Sequence, residues 1–266
     1  MLNWMKYRWL YLLISGTLII VGTFSIVKWG FKVGIDFTGG VTAEYKFPDG
    51  KNQVFKYGVL TNQEIDKIKA DFKSKNAVEV SFESVGPSIG PELIKKTIYA
   101  LLISVTGILL WIAYQFKSIK FGISATLATF HDTLILLGMF SLFGHFFGAE
   151  VDFLFVTAVL TILSFSVHDT IVVFDRIREM KKKYSGEVVD VANEALSETM
   201  VRSLNNSFTI IFMLIALILL GGESIKWFAV ALLVGTVSGT YSSPFVAVPI
   251  LVTWDELQKK LRLKSK

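Results

Sequence analysis

The stretch SFSVHDTIVVFDRIREMKKK, residues 164–183, sets His168 and Asp169 side by side in an apolar run that ends in a cluster of positive charge. A second pair, His131 and Asp132, stands in FHDTLILLGMF, well inside another apolar run. An ionisable group in the middle of a membrane helix costs about 2.5–3.5 kcal/mol on insertion scales, so such groups face protein or water and often serve ion pathways. A rise of 1.5 Å per residue puts Asp169 about 9 Å from Asp175 of the basic cluster, too deep for a loop position. Arg202, in RSLNNSFT, stands at the start of the next apolar run, and a guanidinium there is able to snorkel back toward a carboxylate. Burial raises a carboxylate's pKa and a nearby guanidinium lowers it, so movement of Asp169 relative to Arg202 would load and release a proton. The plainer readings are that Asp132 and Asp169 fix helix packing and that Arg202 sets topology. His131 and His168 read as interhelical donors rather than ligands. A zinc site needs converging ligands, His145 lies in or near an external loop, and cysteine is absent, so no metal and no thiol chemistry is expected.

The elements that must carry these residues are membrane helices. Of 266 residues, 52% are apolar, which is too much for a soluble domain of this length. A bilayer core about 30 Å thick takes about 20 apolar residues in helical form. Six stretches qualify, near residues 10–27, 95–116, 121–143, 151–174, 205–221 and 227–252. The first follows Lys6 and Arg8 like a signal peptide, but it is longer than the usual h-region and no A-x-A site follows, so it is expected to remain as an anchor. A net charge of +5 does not point to nucleic acid, because the positive residues sort by membrane side. Lys6 and Arg8, Lys117 and Lys120, the run from Arg176 to Lys183 with Arg202, and the tail from Lys259 to Lys266 mark one side, whereas GHFFGAEVD has no Lys or Arg. Cytoplasmic loops are the Lys- and Arg-rich ones, so both termini are expected inside. All six tryptophans (4, 9, 29, 111, 227 and 254) stand near the expected helix ends, where an indole sits well among headgroups.

On face composition, Gly122, Ala125, Thr129 and Asp132 share one side of the third segment and must meet protein. Gly235 and Gly239 form a G-x-x-x-G in the sixth segment, where Pro244 and Pro249 predict a kink. Residues 28–92 read as the external α+β unit. TAEYKF and NQVFKY flank Pro48-Asp49-Gly50 as a hairpin, Thr61 and Glu64 form a capping box ahead of an Ile65, Ile68, Phe72 stripe, and AVEVSFESV alternates as a strand. The unit is too small for an independent enzyme and depends on the membrane part or a partner for stability. Residues 187–202 read as an amphipathic cytoplasmic helix leading to the fifth segment, and 253–266 as a basic cytoplasmic tail. GIDFTGG lacks G-x-G-x-x-G or Walker spacing. Gly34, Asp36, Gly39 and Gly40 are therefore a structural motif, the glycines allowing tight turns between the first helix and the sheet, and no cofactor is expected.

Several of these stretches together resemble the SecF family, the smaller half of the bacterial SecD-SecF membrane complex, of the resistance-nodulation-division superfamily. They are VGIDFTGG, SVGPSIGPEL, FHDTLILLGMF, SFSVHDTIVVFDRIRE and RSLNNSFT, in order across residues 30–250. The resemblance implies a six-helix bundle forming half of a pseudo-symmetric twelve-helix unit, with a ferredoxin-like external domain, in the bacterial inner membrane. It implies use of the proton gradient to assist late steps of protein export, after the SecY channel and SecA have moved a chain across. The implied partners are SecD, the SecYEG channel, a YidC-type insertase, the exported polypeptide and lipid, with no nucleic acid. The family's proton-linked aspartate and arginine fall on Asp169 and Arg202, with His168 and Asp132 as further members of the pathway. The family motif commonly has Asn where this chain has His168, a residue type whose ordinary pKa lies near neutral pH. Two other roles fit the same composition: half of a small-molecule or lipid exporter of the superfamily, or a scaffold for SecD.

Overall fold

In hydrocarbon every backbone N–H and C=O must be satisfied within the protein, so long apolar runs fold as helices. The computed structural model describes residues 3–86, 89–183 and 186–264. A 3₁₀ turn at Trp4–Tyr7 leads into α1 (Arg8–Trp29), then come α2 (Ile35–Thr38), β1 (Gly40–Lys46), β2 (Asn52–Tyr57), α3 (Asn62–Ser74) and β3 (Val78–Val85). The helices α4 (Ile89–Phe116), α5 (Ile119–Phe147), α6 (Phe153–Lys183), α7 (Val188–Leu220) and α8 (Glu223–Ser242) follow, and a π-helical turn at Ser243–Ala247 joins α8 to α9 (Val248–Lys264). Among the described residues six helices are long and apolar enough to cross a membrane: α1, α4, α5, α6, α7 and α8 with its continuation.

Three boundaries differ from the sequence reading. The amphipathic stretch 187–202 and the fifth apolar segment are one unbroken helix, α7, because no Gly or Pro interrupts SETMVRSLNNSFT. Its 33 residues span about 50 Å, so one end projects well beyond a bilayer core. The basic tail is likewise helical, as α9, up to Lys264, while Ser265 and Lys266 lie outside the described residues. On the outer side α4 begins at Ile89, so the sheet unit ends before residue 92. Within SVGPSIGPEL, Pro87 and Ser88 lie outside the described residues.

The outer unit is a three-stranded antiparallel sheet in the order β2-β1-β3. Strands β2 and β3 run parallel on either side of β1, joined by α3, which makes the split β-α-β half of a ferredoxin-like unit. The hairpin register pairs Val41 with Tyr57 and Lys46 with Asn52, and Gly50 takes a positive φ of 80° in the turn. Alternation sends Ala43 and Tyr45 toward α3, where the Tyr45 ring stacks on Phe72 with centroids 4.1 Å apart. The capping box forms: the Thr61 N–H donates to Glu64 at 2.8 Å.

In the bundle α5, α6 and α8 lie at the centre, while α1, α4 and α7 leave most of their surface outward. Small residues set the closest approaches. Gly235 and Gly239 of α8 meet Ile162 and Ser166 of α6, and Gly22 of α1 lies against Gly138 of α5. The predicted kink is the π turn holding Pro244, one of the recognised causes of helix bending. Both chain ends gather at one end of the bundle: Arg8 makes two bonds of 2.8 Å to Glu256, and Trp4 donates to Ser197 of α7 at 3.0 Å. The sheet occupies the opposite end, where Gly34 N–H donates to Val151 O at 2.9 Å.

A Cβ at position 138 would overlap the backbone of Gly22, whereas one at Gly16 meets nothing within 4 Å. Gly138→Ala is therefore expected to cost about 1–3 kcal/mol through overpacking. Gly16→Ala is expected to be neutral or stabilising by a few tenths to about 1 kcal/mol. Thermal melting in detergent separates the two.

Candidate functional site

The central helices carry two buried carboxylates in different surroundings. Asp169 of α6 is 4% exposed and lies about 24 Å of helical rise from the outer end of its helix. Its Oδ2 accepts a 2.6 Å hydrogen bond from the Ser203 hydroxyl of α7, the only one its side chain accepts among the described residues. Ser203 was not singled out in the sequence. The signal was available, because a hydroxyl one residue past Arg202 falls on the side of α7 that meets α6. Arg202 itself is exposed on the outward face of α7, and His168 is exposed on α6. Neither has a side-chain hydrogen bond or ion pair among the described residues. The structure thus brings Asp169 to Ser203 and leaves the expected guanidinium beside that contact, facing out.

Asp132 of α5 is 1% exposed and fully engaged. Its Oδ2 accepts from Ser166 of α6 at 2.5 Å and Ser242 of α8 at 2.6 Å, and its Oδ1 from Ser238 at 2.6 Å. His131 Nδ1 lies 3.0 Å from the same Oδ1, and with the proton on Nδ1 it supplies a fourth donor. His131 Nε2 is buried without a partner. Donors on both oxygens of one carboxylate satisfy it without water and tie three helices together. A further hydroxyl pair, Thr170 and Ser243 at 2.9 Å, extends this polar layer into the π turn. The face made by Gly122, Ala125, Thr129 and Asp132 is buried throughout, as its composition requires.

The outward side of the same region carries polar groups among its apolar ones. Thr157, Thr161, Ser164 and His168 are all exposed and recur at 4-3-4 spacing, so they form one stripe along α6. Arg202, Asn205, Asn206 and Thr209 are exposed on α7. No group of three or more His, Asp or Glu among the described residues could hold a metal ion. His145 instead stacks on Trp29 at 4.5 Å near the outer end of α5.

The VGIDFTGG motif makes the turns its glycines allow. Gly34 precedes α2, and Gly39 and Gly40 have φ of 75° and 140° where the chain passes from α2 into β1. Its Asp36 reaches another helix, accepting from the Phe153 N–H at 2.7 Å. Beside it Asp152 caps α6, accepting from the Phe155 N–H at 2.7 Å. Burial is the main reason that the Asp152 carboxyl is held above its ordinary value; negative charge on Asp36 and Glu150 adds to this, against the Phe155 hydrogen bond.

Against known proteins, the family profile described as "Protein export membrane protein SecD/SecF, C-terminal" matches residues 64–257. A protein translocase subunit SecF from Thermobaculum terrenum is 38% identical, with 96% of this chain and 94% of that protein aligned. Those from Sebaldella termitidis and Haemophilus influenzae are 36% and 33% identical over 94% and 93% of this chain. The chain belongs to the SecF family of protein translocase subunits. The crystal structure of the SecDF of Thermus thermophilus, described as a translocon-associated membrane protein, matches at a TM-score of 0.87 and 29% identity. It covers 96% of this chain, which spans 39% of that longer one. A SecDF structure in a super-membrane-facing form covers all of this chain at a TM-score of 0.79. SecF-type membership agrees with the six helices and the small outer sheet.

The two carboxylates differ in what neutralising them should cost. Asp132→Asn turns one acceptor into a donor facing serine hydroxyls, and about 1–3 kcal/mol of stability should be lost. Asp169→Asn, with one hydroxyl partner, should cost less, as thermal melting of the two variants would register. For Asp152 the raised carboxyl gives a definite sign. As pH rises from 3.8, the ordinary value, the unfolded chain releases this proton first, so stability declines until the folded carboxyl has also ionised. Melting wild type and Asp152→Asn in parallel should show the wild type losing ground to the variant as pH rises through that window.

Proposed function

We propose that this SecF-type chain is the proton-responsive half of an export complex in the bacterial cell membrane, with both termini in the cytoplasm. It works with SecD, the SecYEG channel and a YidC-type insertase on unfolded polypeptide, assisting late steps of translocation. The observation that carries this reading is Asp169: a carboxyl in the bundle with one serine partner, flanked by His168 and Arg202 on a face that points out of this chain. Polar groups on a membrane helix face protein or water, so the stripe on α6 and α7 supports a second half, SecD, seated there with a wet path to Asp169. Asp132 is the fixed point of the same bundle and Asp169 its titrating group. Arg202 and His168 bias the proton affinity of Asp169 as the halves shift.

A charge moving through the membrane field is worth about 2.3 kcal/mol per 100 mV, roughly a fifty-fold bias between two states. Protonation of Asp169 from outside and release inward would therefore drive α6 between two positions against the partner half.

Asp169→Asn complexes are expected to co-purify with SecD at wild-type yield and to lose the gradient-stimulated part of export, leaving the rate that an uncoupler leaves in wild type. Full gradient stimulation in that variant would defeat the reading.

A further inference from the structure

The start of α6 has the usual shortage of acceptors at a helix N-terminus. Asp152, the residue before the helix, takes the Phe155 N–H, as a local cap does. The Phe153 N–H is out of its reach and donates instead to Asp36 Oδ2 at 2.7 Å, across 117 positions of sequence. Two backbone bonds bracket this contact: Val151 N–H to Lys32 O at 2.8 Å and Gly34 N–H to Val151 O at 2.9 Å, with Val33 and Val151 forming a parallel bridge. The approach is close at Gly34, where a Cβ would stand 3.0 Å from the Asp152 Cβ, tighter than an ordinary contact.

Asp36 belongs to α2, which is held on its other side. The Phe37 backbone leaves no room for a Cβ on Gly90 of α4, and Gly39 and Gly40 turn the chain directly from α2 into β1. The sheet has other ties to the bundle: Lys56 of β2 pairs with Glu150 at 2.5 Å, and Glu44 of β1 accepts from Ser224 of α8 at 2.9 Å. Between these ties the sheet does not lie flush on the helix ends. A cavity of about 370 Å³ separates them, lined by Thr42, Glu44, Glu83, Asp152 and Glu223 among others. The outer unit therefore rests on a few polar attachments with open space behind it, and the Asp36 attachment is made to the very helix that carries Asp169.

We infer that Asp36 is a positioning residue that caps α6 from the outer unit, so that displacement of the Asp169-bearing helix is delivered to the sheet. An α-helix keeps its rise of 1.5 Å per residue, so the 16 steps from Phe153 to Asp169 form a strut of about 24 Å. One end of the strut is the carboxyl in the bundle, and the other is the amide that Asp36 holds. The inference rests on the proposed function for what moves α6, but its geometric half stands apart from that reading.

The experiment uses the full SecD-containing complex in proteoliposomes, with Asp36→Ala and Asp36→Asn compared with wild type. The chain has no native cysteine, so spin labels can be placed at Ser74 of α3 and Phe147 of α5, both exposed. Without a gradient, Asp36→Ala should broaden the distance distribution between the labels. Asp36→Asn keeps an oxygen acceptor and is a good cap, so it should keep the wild-type width. With a gradient imposed, Asp36→Ala should lose gradient-stimulated export roughly fivefold per complex, the size of an ordinary cap effect, while proton flux through the complex stays at the wild-type level. A wild-type resting width in Asp36→Ala would overturn the inference. So would flux and export falling together in Asp36→Ala, or no rescue by Asp36→Asn, since each marks a residue needed only for folding. If Asp169→Asn keeps its gradient stimulation while Asp36→Ala still broadens the distribution, the failure falls on the proposed function and not on the cap.

Discussion

A carboxyl placed in hydrocarbon must receive from protein the hydrogen bonds that water would have given it, and the packing of this bundle follows from meeting that demand at Asp132. Hydroxyls from α6 and α8 converge on it at 2.5–2.6 Å, which requires the three helix axes to come close. Only small residues permit that approach, and the α6–α8 contact carries them: Gly235 and Gly239 on α8 and Ser166 on α6. Apolar contact alone gives membrane helices little reason to prefer one neighbour over another, since lipid is as apolar as leucine. A charged or strongly polar centre with directed donors does give that reason.

The π turn in the sixth spanning helix belongs to the same economy of hydrogen bonds. Pro244 removes an N–H from the helical ladder, and the wider turn at Ser243–Ala247 absorbs the break. Two consecutive serines just before the proline face different partners: Ser242 donates to Asp132, and Ser243 lies 2.9 Å from Thr170 and 3.1 Å from the Gly239 carbonyl. A regular helix turns by about 100° per residue, so neighbouring side chains point to different sides. Here both directions are occupied by hydroxyl and carboxyl groups from α5 and α6.

Much of this was legible in the sequence, for reasons that can be named. Length and composition were enough to find six spanning helices, because hydrocarbon allows no other fold for such runs. The small-polar face around Asp132 could be assigned to protein contact from spacing alone. The hairpin, the capping box and β3 followed from turn chemistry and alternation. What was not legible depended on distance through space. The continuity of α7 hid behind a change from amphipathic to apolar composition, which alters what a helix faces and not whether it is a helix. Ser203 stands beside a charge that marks the same helix entrance more strongly in the sequence, although the short side chain is the one that reaches Asp169. Asp36 read as part of a turn motif, since nothing local in GIDFTGG points to an amide 117 residues away.

The contrast between the two carboxyls bears on which of them is free to change. Asp132 is held by serines on two other helices and shielded from every side, so altering its charge would disturb the frame itself. Asp169 has one short-chain partner and two titratable or charged neighbours, His168 and Arg202, whose side chains point away from the bundle. Such an arrangement is incomplete within one chain: Thr157, Thr161, Ser164 and His168 would meet acyl chains if nothing covered α6. On the proposed reading, this stripe and the lightly held carboxyl beside it put the variable part of the site at a seam between this chain and a partner half. A group at a seam changes its surroundings when the two sides slide, which a group at the centre of a packed bundle does not.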